Sequence, residues 1–152
     1  MTRLTKPIAA LLLSMLAAPA LTVQAATPAG RYTASSGTVL DTKTRLVWQE
    51  PFAASSMSWA AAKTYCAGLG ATLGGSGWRL PTIKELQTLV DVSITTGASI
   101  DPTYFPLASI STFWSSTPST ASTTAAWVLS FKASGGEGQA EMSANAAVRC
   151  VR

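Results

Sequence analysis

The chain has 152 residues, with 11 Lys or Arg, 7 Asp or Glu, two Cys and no His. That is the length of one domain, and the lack of His removes the commonest general base and the commonest metal ligand together. Charged residues make up 12% of the chain, about half the usual share. The 47% hydrophobic content predicts a folded chain rather than a disordered one.

The N-terminus reads as an address. Arg3 and Lys6 precede an apolar run, Ile8 to Ala18, broken only by Ser14 and followed by Pro19. Val23-Gln24-Ala25 then puts small side chains where a signal peptidase reads. This is the three-part pattern of a secretory signal, and the run is shorter than the ~20 residues of a membrane span. Residues 1–25 are expected to be a cleaved signal peptide. Residues 26–152 are expected to be the exported domain, periplasmic or secreted, with no membrane span. That form keeps nine basic against seven acidic side chains, too weak a balance to read as a nucleic-acid binder.

Export sets the reading of Cys66 and Cys150. In an oxidising compartment an isolated pair is most simply a disulfide. The rival reading is a catalytic or copper-binding thiol pair, but no His or Lys adjoins either Cys to lower its pKa.

In chain order, Val39-Leu40 and Leu46-Val47-Trp48 flank Asp41-Thr42-Lys43-Thr44, which predicts a β-hairpin ended by Pro51. Trp59, Ala62, Cys66 and Leu69 share one helical face. The helix is expected to be capped by Ser56 or Ser58, with Gly68 and Gly70 marking its end. Gly74-Gly75-Ser76-Gly77 leads through Trp78-Arg79-Leu80-Pro81 into Thr82-Ile83-Lys84-Glu85, which has the form of a capping box. Ile83, Leu86, Leu89 and Val90 supply the apolar face of that second helix.

Asp101-Pro102 and Phe105-Pro106 mark Ser93 to Ser111 as irregular. Thr112 to Ser115 is a short strand with Phe113 and Trp114, and Ser116 to Thr124 is an exposed Ser/Thr-rich loop. Trp127, Leu129 and Phe131 alternate as a half-buried strand. Gly135-Gly136 turns the chain. Gln139 to Met142 and Ala147 to Val151 are the expected closing strands. Early helices flanked by strands predict a single α+β domain, with two helices packed on short antiparallel strands.

The candidate ligand-binding residues are Arg79, Lys84, Trp114 and Arg149. The cations would make charge-assisted bonds to anionic oxygens, and Trp114, beside a polar loop, would be a sugar platform, with Tyr104 as a lesser candidate. The competing structural roles are loop carbonyls or a carboxylate for Arg79 and a helix cap for Glu85. Trp59 and Trp127 are expected in the core. No metal site and no cofactor are expected. Without His no Ser-His-Asp set exists, and nothing gathers two of the seven acids into a glycosidase pair.

Several segments together resemble the Lcl C-terminal domain family of bacterial exported proteins. They are Leu40 to Gln49, Ser58 to Cys66, Trp78 to Leu86, Ile100 to Pro106, Trp114 to Pro118, Ala126-Trp127 and Val148 to Arg152, in the family's order over nearly all of residues 26–152. The resemblance implies a C-type-lectin-like fold shared with formylglycine-generating sulfatase-modifying enzymes. In that fold a disulfide joins the first helix to the last strand, positions that Cys66 and Cys150 match. The formylglycine enzymes bind copper through two active-site cysteines, and a bridge here would leave none.

The family's namesake domain ends a collagen-like adhesin that binds sulfated glycosaminoglycans. This sequence has no Gly-X-Y run, and none of the Glu-Pro-Asn, Gln-Pro-Asp or Trp-Asn-Asp tripeptides of calcium-dependent lectins. The expectation is therefore a non-catalytic, metal-independent binding domain for anionic or sulfated polysaccharide, in an adhesin-like role. The alternative is a structural or assembly protein that binds another envelope or host-surface protein through the Ser/Thr-rich loop and the strand around Trp114.

Overall fold

A computed structural model describes residues 28–106, 112–132 and 136–152. The expected signal segment 1–25, the end of the irregular stretch (107–111) and Gly135 lie outside these residues. Among the described residues no helix is long and apolar enough to cross a membrane.

The first sheet is antiparallel, with β1 (Tyr32–Ser35), β2 (Thr38–Asp41) and β3 (Val47–Gln49) in that order. β2 and β3 are the expected hairpin, in a register that sets Val39 opposite Trp48 and Leu40 opposite Val47. Asp41 builds its turn, because Oδ1 accepts the N–H of Lys43 at 2.9 Å, an Asx turn. β1 precedes the elements the periodicity revealed. It joins β2 through Ser36-Gly37, whose φ values of 47° and 80° belong to a two-residue hairpin turn that twists with its strands.

The first helix is longer than its glycines predict. α1 (Trp59–Gly68) passes through Leu69 in helical conformation into α2 (Gly70–Leu73), and the chain turns away at Gly74, φ 71°. Gly70 serves close approach instead of termination, since a Cβ there would meet the carbonyl oxygen of Gly75 at 2.5 Å. Ser58 is the N-cap but its side chain makes no capping bond. The Trp59 N–H is instead satisfied by the carbonyl of Met142 at 3.0 Å, a tertiary partner for an orphan donor. α3 (Ile83–Gln87) carries the full capping box, with the Thr82 hydroxyl taking the Glu85 N–H and the Glu85 carboxylate taking the Thr82 N–H.

The second antiparallel sheet orders β4 (Thr112–Pro118), β5 (Ala125–Ser130) and β6 (Glu137–Glu141). β5 is the central strand and is buried on both faces, where alternation predicted one. Ala126 and Val128 enter the core cluster around Cys66, Trp78 and Trp114, while Leu129 and the following Phe131 enter the cluster around Trp48, Phe105 and Phe113. Trp127 is only partly buried.

The expected strand Ala147 to Val151 is present as isolated bridges, because its partners change along its length. Ala146 pairs with Met57, Ala147 with Phe113 of β4, and Val151 with both Trp48 of β3 and Arg79. The segment thus stitches the two sheets together. The Cys66–Cys150 disulfide ties α1 to it across 84 residues of sequence, worth about 4–5 kcal/mol in the chain-entropy account. Both half-cystines are fully buried. The domain is α+β with one disulfide, as expected.

Candidate ligand-binding surface

Two of the four candidate residues are buried in the core. Trp114 is fully buried and its indole N–H donates to the carbonyl of Met57 at 2.8 Å. Phe113 and Trp114 alternate on β4, which turns Trp114 into the cluster with the disulfide and away from any sugar. Arg149 is also fully buried, on the segment between the sheets. Its Nη1 donates to the carbonyls of Gln49, at 2.7 Å, and Glu50. Its guanidinium carbon lies 4.9 Å from the centre of the Phe105 ring. Neither side chain meets a surface ligand. Tyr104 is half-buried and leans on Tyr32, ring centres 5.4 Å apart.

Arg79 and Lys84 are exposed and lie at the start of α3. Arg79 grips Glu85 with two parallel bonds, Nη1 to Oε2 at 2.8 Å and Nη2 to Oε1 at 2.6 Å. It also donates to the Leu80 carbonyl. The bonds from Arg79 hold the Glu85 carboxyl below its ordinary pKa, against partial burial that pushes it up. The same bonds raise the Arg79 guanidinium. Arg79 is therefore charge-compensated, and Lys84, one residue along the helix from Glu85, is the uncompensated cation of this corner.

A second part of the surface was not singled out in the sequence. Trp59, expected in the core, is half-buried, and the ammonium of Lys63 stands 4.4 Å from its ring centre. The two residues are i and i+4 on α1, the spacing that brings helical side chains together, and a cation over a Trp face is favourable. That spacing was legible. What hid it was the neighbouring Ala62 and Cys66, which made the face look wholly internal.

The register of β4 shifts between Trp114 and Pro118, and α1 and α3 each contact this strand. The Ser115 carbonyl accepts the Trp59 indole N–H at 2.8 Å. The Ser116 N–H, on the other side of the same peptide group, donates to the Pro81 carbonyl at 2.7 Å. Thr117 Oγ1 takes the Ile83 N–H at 3.1 Å. One peptide group of the bulge thus anchors the Trp59–Lys63 pair from one edge and the α3 cap, with Arg79 and Lys84, from the other. Bulges commonly re-aim side chains in this way.

Nearby, the Arg152 guanidinium lies over Trp78, 5.5 Å from the ring centre, and covers Gly75, where a Cβ would come within 2.6 Å of Nη1. Lys43, Arg45, Lys63, Lys84, Lys132 and Arg152 are exposed and make no ion pair among the described residues. The exposed acids outside ion pairs are Glu137 and Glu141, both on β6. Away from β6 the exposed charges are cationic, while Glu50, Asp91 and Asp101 are half-buried. Among the described residues no three or more Cys, Asp or Glu side chains gather where they could hold a metal ion.

The description of the Lcl C-terminal domain matches residues 37–152. The chain belongs to this family. The match spans β2 through the C-terminal segment, and so includes the disulfide, the bulge and both helix starts. No curated protein matches this Lcl C-terminal domain chain.

Proposed function

We propose that this chain is an exported, non-catalytic binding domain of C-type-lectin-like fold that recognises sulfated or otherwise anionic glycans in an adhesin-like role. The observation that carries the reading is the Trp59–Lys63 pair, held at the β4 bulge whose other edge anchors the start of α3 and Lys84. An ammonium fixed over an aromatic ring is held in place to take a sulfate oxygen of a glycan. Arg79 serves here as a positioning residue that fixes the α3 corner through Glu85. The bridge from α1 to the C-terminal segment supports the lectin-like reading and leaves no thiol for copper.

The test is binding of oxidised residues 26–152 to sulfated and desulfated forms of one glycan, at low and high salt. Sulfate-selective binding that weakens with salt is expected. Lys63→Ala and Lys84→Ala should each lower affinity by about two- to five-fold, the worth of an exposed ion contact. Equal binding to both forms overturns the recognition of sulfate, and no binding with folded protein overturns the reading in favour of a protein partner.

A further inference from the structure

We propose that Trp48 and Arg149 together form a buried site for one small inorganic anion of chloride size. The proposal concerns the interior and is independent of the glycan surface. Both side chains are fully buried. Three of their nitrogens, Trp48 Nε1 and Arg149 Nε and Nη2, are buried and make no hydrogen bond within the chain.

The backbone register brings these donors to one face. Trp48 is paired with Val151, and the Gln49 N–H donates to the Cys150 carbonyl at 2.9 Å. Arg149, two residues before Val151, therefore projects on the same face as Trp48, as its diagonal neighbour. Phe105 and Phe113 cover that face. Both pack in one cluster with Trp48, and the Arg149 guanidinium carbon lies 4.9 Å and 5.9 Å from their ring centres.

The chemistry of the donors selects the ligand. Arg149 uses Nη1 on two backbone carbonyls. Nε–H and the parallel Nη2–H remain, and these form the edge with which a guanidinium grips an anion. Burial pushes the Arg149 pKa down to about 9, against the charge of Glu50, which raises it, so the group stays cationic at neutral pH. No carboxylate forms an ion pair with it among the described residues. The orphan groups are all donors. A water must donate as well as accept and leaves such a set half-matched, whereas a monatomic anion only accepts and brings the missing charge. A close-packed core also disfavours a larger oxyanion.

The test uses the full oxidised protein, with chloride and bromide as probes. Thermal stability should rise with sodium chloride and not with sodium gluconate at equal ionic strength, because gluconate is too large to enter. Crystals grown in bromide should show an anomalous peak beside Arg149. Trp48→Phe keeps an aromatic side chain and removes one donor. It should raise the chloride concentration for half-maximal stabilisation by about ten-fold. Equal stability in the two salts, a chloride effect unchanged in Trp48→Phe, or bromide peaks confined to the surface would each overturn the proposal. The bromide and salt comparisons need no variant, so a Trp48→Phe chain that fails to fold does not rescue it.

Discussion

The Arg31–Asp41 and Arg79–Glu85 pairs are made of the same groups at similar distance, 2.9 Å and 2.6 Å, yet they sit in different solvents. Side-chain exposure is 18% and 0% in the first pair and 46% and 21% in the second. The first also reaches further. Arg31 Nη2 bonds the carbonyl of Thr88, at the end of α3, at 2.5 Å, while Asp41 holds the β2–β3 turn. The second closes a contact six residues apart around one helix start. Contact geometry alone therefore does not rank these pairs. Water is displaced from one and present at the other, and breaking a buried pair leaves a charge with nowhere to go.

The largest expected effect follows from that contrast. Asp41→Asn keeps the shape of the turn and removes the charge opposite Arg31, and should cost about 3 kcal/mol. Urea unfolding measures this, and a loss no larger than that of Glu85→Gln would erase the distinction. Acid should weaken both pairs. Burial pushes the Asp41 carboxyl up, but the bonds from Arg31 and the Lys43 N–H outweigh it and leave the group below its ordinary value. Glu85 is lowered as well. A carboxyl lowered on folding contributes stability above its unfolded pKa, near 4, and loses it as pH falls through the folded value. Stability measured from pH 5 downward should therefore fall in the parent protein. Asp41→Asn and Glu85→Gln should each flatten that fall.

Glu85→Gln should cost about 0.5–1 kcal/mol. The pair with Arg79 is half in water, which limits its worth, and Gln at the third helical position can still bond back to the N-cap N–H. The remaining loss should shrink in 1 M salt, since exposed charges are screened. A loss that salt leaves unchanged would mean that Arg79 and Glu85 act as a packed unit and not as a solvated pair.

The same contrast explains what was legible in the sequence. The capping box, the β2–β3 hairpin and the Cys66–Cys150 bridge rest on local spacing or on the only two cysteines, and each is present. The role of Arg79 was readable as a choice between a carbonyl and a carboxylate, and it takes both. Trp114 and Arg149 were misjudged for one reason. Their surroundings come from β5, α1 and the opposite sheet, and no short stretch of sequence carries that information. Arg149 in particular stands beside Cys150 like any surface cation, and only the double pairing of Val151 shows that its strand is internal. The helix ran past Gly68 and Gly70 because Gly70 answers a contact with Gly75, not a need to stop.

The smallest expected effect tests the turn that Asp41 organises. Arg45 is exposed and has φ 65°, a left-handed conformation that costs an L-residue about 1–2 kcal/mol. Its N–H bonds the Asp41 carbonyl at 2.8 Å, so the turn needs this backbone shape whatever the side chain. Arg45→Gly removes the strain and adds back some unfolded-state freedom. It should stabilise the domain by about 0.5–1 kcal/mol, read as a rise in Tm. Arg45→Lys keeps the strain and should change little. If Arg45→Gly raises Tm and lowers affinity for a sulfated glycan, the strain is maintained for a cation at the ligand surface, which would then extend from α1 and α3 to the end of the first sheet. If Tm rises and affinity holds, the surface stops at the β4 bulge, and Arg45 is a solvated cation on a turn that Asp41 organises.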